Sequence, residues 1–153
     1  MDRLKSLFSF GGRTSRLGYW RIQLAIAAMI AIIWVATIFV AMEAGHLAVI
    51  PLSLLLPVLL VGLAVAVRRL HDRDKGAWWL VPFWLLPSAC FAIAQFLTEQ
   101  TGDGGLAAVG ALLAGLAFNV WAFVEIGCRR GTPGPNRFGP VPPSGLRPRR
   151  RRP

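Results

Sequence analysis

The stretch RRLHDRDKGAWW, residues 68–79, lies between two long apolar runs and decides how the chain is organised. Its first eight positions hold four basic residues, two acids and a histidine, and it ends in a tryptophan pair. Charged side chains are costly in the hydrocarbon core of a membrane and stay there only where they serve a purpose. The stretch therefore predicts either a hinge that joins two membrane helices or a site for a ligand.

On either side of this stretch, the chain divides into four apolar blocks at about residues 20–42, 47–67, 77–97 and 106–127. Each block has roughly the 20 residues that an α-helix needs to cross a bilayer. Hydrophobic residues make up 55% of the chain and charged residues 16%, whereas a soluble domain has about 25% charged residues. We therefore predict an all-α, polytopic membrane protein with a bundle of four transmembrane helices, the first of them an uncleaved span.

The basic residues indicate which helix ends face the cytoplasm. All 17 Lys and Arg residues lie before or at the start of span one, between spans two and three, or after span four. The other two loops, residues 43–46 and 98–105, contain acids and no Lys or Arg. By the positive-inside rule, both termini and the 68–79 stretch are predicted to be cytoplasmic.

The predicted organisation has three parts. These are a cytoplasmic N-terminal segment (1–19), a transmembrane domain (20–130) and a cytoplasmic tail (131–153) that is rich in Gly and Pro and ends in a run of arginines. The net charge of +10 is explained by topology and no nucleic-acid-binding motif occurs, so no nucleic acid partner is expected. A basic surface beside a membrane favours anionic lipids as partners.

Span four carries small residues that favour close helix packing. Ala107, Ala111 and Gly115 are spaced four apart, with Gly110 and Ala114 beside them. This spacing lets helix backbones approach each other. The contact is predicted either within the chain or in a homo-oligomer.

The residues of the 68–79 stretch support two interpretations. In the structural one, Arg68 faces Asp72 one helical turn away, and the tryptophans anchor the next span at the interface. In the functional one, the arginines present flat, forked donors to a phosphate. His71, oriented by Asp72, would then exchange a proton near neutral pH.

Three motifs carry a resemblance to a known family: FGGRTSRLGYW (10–20), RRLHDRDKGAWW (68–79) and GTPGPNRFGP (131–140). Their order and spacing resemble the membrane proteins of domain-of-unknown-function family 805, over about residues 8–140. In that family the middle motif closes on Gly-Trp-Trp, whereas here Ala77 separates Gly76 from the tryptophans. The resemblance implies a multi-span protein of the bacterial cytoplasmic (inner) membrane and no established activity. The Gly/Pro turns after span four would let residues 136–138 fold back against His71.

Glu125 lies one turn inside the cytoplasmic end of span four and needs a cationic partner, either an arginine of the cytoplasmic face or Arg129 four residues later. The predicted ligand-binding face has nine members: Arg13, Arg16, Arg68, Arg69, His71, Asp72, Glu125, Asn136 and Arg137.

No catalytic or metal-binding pattern occurs in the sequence, so no catalytic residue, metal or cofactor is predicted. The main expectation is a membrane protein, without catalysis of its own, whose basic cytoplasmic face binds anionic lipid headgroups or a protein partner. One alternative is an enzyme or sensor for a phosphate-bearing ligand that uses the Arg/His/Asp loop. Another is an oligomeric pore or carrier that uses the proline-containing spans.

Overall fold

The computed structural model describes residues 8–101 and 105–142, and within these residues the chain is α-helical with no strand. The arginine-rich end of the tail, 147–153, lies outside the described residues. The five α-helices are α1 (Arg16–Ala44), α2 (Val49–Ser53), α3 (Leu55–His71), α4 (Leu80–Thr101) and α5 (Gly105–Phe123). Short 3-10 turns occupy Gly45–Ala48 and Ala77–Trp79, and a π-helical turn, Val124–Cys128, extends α5.

In the part of the chain that the structure describes, three helical segments are long and apolar enough to cross a membrane: Arg16–His71, Ala77–Gln100 and Gly105–Cys128. The second and third have 24 residues each, but the first has 56, far more than the roughly 20 that one crossing requires. This first segment is not one straight helix, because α1 ends at Ala44 and α3 begins at Leu55.

The helices α1 and α3 pack side by side in antiparallel orientation. Before the start of α1, Thr14 N donates to the carbonyl of Arg68 near the end of α3, at 3.1 Å. Farther along α1, Ile26 Cδ1 would lie 3.6 Å from a methyl group placed on Gly62. Residues later in α1 therefore contact residues earlier in α3, as expected for antiparallel helices.

Local sequence explains where these helices begin. Ser15 caps α1, since its Oγ accepts from Gly18 N at 3.2 Å and so satisfies one of the unpaired N–H groups of the first turn. Pro51 and Pro57 are the third residues of α2 and α3, where the missing N–H would have no partner within the helix. Pro87 lies inside α4, which nevertheless continues to Thr101.

The chain forms two units. The first runs to Asp74 and resumes at Gly131, and the second is Lys75–Arg130. In the first, α1 packs against α3, and in the second, α4 packs against α5. Large apolar side chains point outward in both, for example Met42 at 78% and Trp84 at 80% exposure, as expected of helices whose solvent is lipid.

Within the second unit, α4 and α5 approach closely at Gly115. A methyl group on Gly115 would lie 3.0 Å from Phe91 Cε1 and 3.2 Å from Cys90 Cβ. Gly115 is buried, whereas Gly110, one turn earlier on α5, is exposed and has nothing within 4 Å of such a methyl. Gly115 is therefore required for the close packing of α5 against α4, whereas Gly110 lies on the outward face of α5.

Gly115→Ala is expected to destabilise the protein relative to Gly110→Ala. Both changes raise helix propensity equally, but only the first forces Phe91 to move, which typically costs about 1–3 kcal/mol. The measurement is the thermal unfolding midpoint of both variants in the same detergent. Equal midpoints would contradict the close packing at Gly115.

Candidate functional site

The carboxylate of Asp72 joins segments that are far apart in sequence. Arg13, which precedes α1, donates from Nε and Nη2 to Oδ1 at 3.0 and 2.9 Å. Arg69, in the last turn of α3, pairs with Oδ2. The main-chain carbonyl of Asp72 accepts from Thr132 N at 2.8 Å. We call Arg13, Arg69, Asp72 and Thr132 the Asp72 cluster.

The charged side chains of the Asp72 cluster are buried. The side chains of Arg13 and Arg69 are 1% and 0% exposed, and that of Asp72 is 6% exposed. Removing charges from water is costly unless each is paired and hydrogen-bonded. Two guanidinium groups share one carboxylate here, so part of the positive charge must be stabilised by other acceptors.

Backbone carbonyls supply those acceptors around Arg13. Nη1 donates to the carbonyl oxygens of Gly134 and Gly139 at 2.7 and 3.3 Å, and Nη2 donates to that of Thr132 at 2.9 Å. With the bonds to Asp72, all five N–H groups of this guanidinium have an acceptor. Arg13 therefore ties the residues that follow α5 to the end of α3, and its donors are fully used within the protein.

Gly131 is the point at which the returning chain meets Asp72. A methyl group on Gly131 would lie 1.9 Å from Asp72 Oδ2 and 2.5 Å from its Cγ. No pair of nonbonded atoms tolerates such distances, and the carboxylate cannot retreat while two arginines hold it. The glycine is required by this close approach.

Asn136 and Phe138 dock the following turn against His71. Asn136 Nδ2 donates to the carbonyl of His71 at 2.8 Å, and its Oδ1 accepts from Phe138 N at 3.0 Å. The Phe138 ring stacks on the imidazole with centroids 3.9 Å apart and an interplanar angle of 4°. Main-chain bonds of 3.1 and 3.0 Å between Asn136 and Gly139 close the turn.

The His71 ring also contacts the chain before α1. Its Nδ1 lies 3.2 Å from the carbonyl oxygen of Gly12, so this nitrogen carries the proton and donates. The residue is 9% exposed. Ring stacking and this hydrogen bond fix the imidazole, which favours the structural interpretation of the stretch.

The rim of the site carries a further arginine–aspartate pair, which involves a second aspartate. Arg137 Nε lies 3.2 Å from Asp74 Oδ1, and Nη2 donates to the carbonyl of Asp74 at 3.0 Å. Unlike the Asp72 cluster, this pair is exposed, with 64% of the Arg137 side chain and 49% of the Asp74 side chain accessible.

The nine predicted site residues thus have different environments. Arg13, Arg69, His71, Asp72 and Asn136 come together, with Arg137 at the rim. Arg68 contributes its carbonyl, which accepts from both Thr14 N and Asp72 N at 3.1 Å. Arg16 is exposed in the first turn of α1. On α3 the side chain shown to pair with Asp72 is that of Arg69, three residues before it.

Glu125 belongs to the second unit, where the π-helical turn buries it to 2% exposure. Arg129 Nη1 lies 2.8 Å from its Oε2, as expected for the local pair, and Lys75 Nζ lies 2.5 Å from its Oε1. The ammonium of Lys75 also lies 3.9 Å from the centre of the Trp79 ring, a favourable cation–π distance. Lys75 is a partner that the sequence did not indicate.

Several residues of the site were absent from the predicted list. Gly131 acts through its missing side chain, for which residue type gives little signal. Thr132 acts through main-chain atoms and through its hydroxyl, which donates to the Asp72 carbonyl at 3.2 Å and accepts from Asn136 Nδ2 at 3.1 Å. Asp74 appeared only as a charge of the loop, and it adopts a φ of 57°, which is uncommon for residues other than Gly, Asn and Asp. Only the G-T-P-G-P-N pattern, with its turn-forming residues, pointed to this segment.

Gly131→Ala is expected to destabilise the protein strongly, since it drives a methyl group into Asp72 and breaks a buried ion pair, which costs on the order of 3–5 kcal/mol. Gly134→Ala is the matched control, because a methyl there meets nothing within 4 Å. Thermal unfolding in detergent and limited proteolysis of the tail would measure both. A Gly131→Ala protein as stable as Gly134→Ala would contradict the close approach to Asp72.

The chain is similar to known proteins along most of its length. A family model described as "Protein of unknown function (DUF805)" matches residues 7–140, a range that contains all three sequence motifs. The inner membrane protein YhaI of Escherichia coli (strain K12) is 40% identical over 105 residues, covering 64% of this chain and 81% of YhaI.

The inner membrane protein YhaH of the same strain is 30% identical over 140 residues, covering 91% of each chain. No solved structure matches the chain. The family expected from the three motifs is confirmed, and the residues of the Asp72 cluster all lie within the matched range. The chain therefore belongs to the DUF805 family of proteins of unknown function.

Proposed function

We propose that this chain is an integral protein of the bacterial inner membrane that binds anionic lipid headgroups through a basic cytoplasmic surface. One contrast carries the proposal: the donors of the buried Arg13 are fully used inside the protein, whereas Arg16, Arg21 and Arg137 are exposed. We call these three exposed arginines of the first unit the basic surface. The Asp72 cluster is, in this proposal, a structural element without catalytic activity.

The membrane location is supported by the three apolar helical segments and by the names of the relatives, which are inner membrane proteins. Within this proposal the 56-residue segment crosses the membrane twice, since α1 and α3 are antiparallel. The chain then has four crossings, and the distribution of Lys and Arg supports a cytoplasmic location for both termini.

The topology can be tested with two matched cysteine variants. Gly45→Cys and Gly76→Cys, each made in a Cys90→Ala/Cys128→Ala background, introduce thiols where a side chain meets nothing within 4 Å. A membrane-impermeant maleimide is expected to label Gly45→Cys in cells with a permeabilised outer membrane, and Gly76→Cys only after the inner membrane is broken. Labelling of both from the same side would rule out the four-crossing arrangement.

Anionic lipid is the favoured ligand because of where the charge lies. Arginine near an anionic surface contributes about 1 kcal/mol of attraction for each charge. Arg16 begins α1 and Arg21 follows within two turns, so both lie at the end of an apolar helix, at the level of the headgroups. The arginines of residues 147–153, which lie outside the described residues, would add to this attraction.

The enzyme alternative has less support from the geometry. A catalytic acid or base needs access to substrate, but His71 and Asp72 are 9% and 4% exposed. Their side chains are paired with other parts of the protein, before α1 and in the last turn of α3. The geometry therefore favours the hinge interpretation of residues 68–79.

The proposal is tested by measuring how many phosphatidylglycerol molecules the protein retains on release from vesicles of phosphatidylglycerol and phosphatidylcholine, by native mass spectrometry. Arg16→Gln/Arg21→Gln is expected to weaken retention by up to about thirtyfold, as two charges contribute about 2 kcal/mol. Arg16→Lys/Arg21→Lys keeps both charges and is expected to restore binding. If wild-type protein retains both lipids equally, the proposed function is wrong.

A further inference from the structure

The backbone at Arg137 is held in a fixed position. It lies in the Asn136–Gly139 turn, which two main-chain hydrogen bonds close. Asn136 fastens this turn to the His71 carbonyl, and Phe138 stacks on the His71 ring. Arg137 therefore projects from a rigid base rather than from a loose loop.

The guanidinium of Arg137 is oriented by contacts along one edge. Nε faces the Asp74 carboxylate at 3.2 Å and Nη2 donates to the Asp74 carbonyl at 3.0 Å. Its central carbon lies 4.7 Å from the centre of the Phe138 ring. Within residues 8–101 and 105–142, no hydrogen-bond acceptor contacts Nη1. The opposite edge, formed by Nη1 and Nη2, is therefore available as a two-pronged donor.

Asp74 lies in the turn after α3 with a φ of 57°, a conformation that Asp, like Asn, tolerates in turns. An ion pair as exposed as Asp74–Arg137 contributes little to folding stability. The visible effect of the pair is to orient Arg137, through the carboxylate and the main-chain carbonyl of Asp74.

The Asp74–Arg137 pair lies at the depth of the lipid headgroup layer. The apolar part of α3 ends at Val67 and the helix ends at His71, about 6 Å farther at about 1.5 Å per residue. Asp74 and Arg137 lie just beyond that end. The headgroup region on each side of a bilayer is about 5–7 Å thick, so the free edge of Arg137 lies where lipid phosphates are found.

We propose that the Nη1–Nη2 edge of Arg137 binds the phosphate group of an anionic phospholipid, with Asp74 as the positioning residue. A lipid phosphodiester has two non-bridging oxygens, which match the two parallel N–H groups of this edge. The inference deepens the proposed function and rests on it. It adds that one arginine of the basic surface recognises phosphate by geometry, while the others act by charge.

Arg13 shows what distinguishes a binding arginine from a structural one. Both arginines use Nε and Nη2 to contact an aspartate. For Arg13, however, Nη1 donates to Gly134 and Gly139. Only the exposed arginine keeps its outer edge for an external anion.

The first test compares Arg137→Lys with Arg130→Lys in the phosphatidylglycerol retention measurement. Both keep the charge, but lysine lacks the flat two-pronged edge. Arg137→Lys is expected to retain about tenfold less phosphatidylglycerol. Arg130, an exposed arginine of the second unit, should tolerate lysine. Equal retention by the wild type and Arg137→Lys would overturn the inference while leaving the proposed function standing.

The second test uses Asp74→Asn. Binding by charge alone and positioning of Arg137 by Asp74 predict opposite changes in phosphatidylglycerol retention for this variant. Removing a negative charge strengthens binding that depends on charge alone. If Asp74 positions Arg137, retention falls despite the added positive charge. Unchanged unfolding midpoints for Asp74→Asn and Arg137→Lys would show that the fold is intact, and increased retention by Asp74→Asn would overturn the positioning role.

A third measurement distinguishes a lipid phosphate from a soluble phosphate as the ligand of Arg137. Protein in phosphatidylcholine vesicles, and separately in vesicles that also contain phosphatidylglycerol, is exposed to excess inorganic phosphate, and the phosphate adducts and retained phosphatidylglycerol are counted. The inference predicts no stoichiometric phosphate adduct and no displacement of phosphatidylglycerol. A stoichiometric adduct that is lost in Arg137→Lys would assign the edge to a soluble phosphate and overturn the lipid source.

Discussion

The buried carboxylate of Asp72 is the constraint on which the rest of the first unit depends. Two arginines converge on it, one from before α1 and one from the end of α3. Residues after α5 return to the same point through Thr132. A carboxylate at 6% exposure is stable only with such partners, and the arginines are stable only with it and the carbonyls around them. Segments separated by some sixty residues are therefore linked at one residue.

Replacing a buried ion pair by apolar groups often changes stability little, whereas removing one partner is costly. The value of the Asp72 cluster is therefore one of specificity rather than of total stability. In a membrane, the hydrophobic effect does not favour one helix arrangement over another. A network that only one arrangement of segments can satisfy selects that arrangement. The stacked Phe138 and His71 rings extend the same selection to the turn that carries Arg137.

The Arg13–Asp72 and Arg137–Asp74 pairs of this unit show how burial changes the role of the same chemistry. Arg13 and Asp72 exclude water and leave the arginine no free donor. Arg137 and Asp74 are in contact with solvent, where the ion pair is weak and an external anion can compete. The second pair is a better candidate for ligand binding because it is the less stable one. The motif as a whole thus combines a hinge with an exposed contact, and the two interpretations of residues 68–79 apply to different residues within it.

The sequence by itself determined the helical class and the apolar segments, and it named Arg129 as one of two possible kinds of partner for Glu125. These expectations follow from neighbours within a few turns, where hydropathy and helical spacing act. Only the tertiary structure decided that Arg13 reaches Asp72, that Gly131 must lack a side chain, and that the rings of Phe138 and His71 stack. The Gly/Pro turns predict that residues 136–138 fold back against His71, but they do not predict that the rings stack. These contacts join residues about sixty positions apart, and the bonds around them include main-chain carbonyls, which every residue possesses. Residue type and spacing do not indicate such atomic contacts, because they arise only when the helices and the returning tail are packed together.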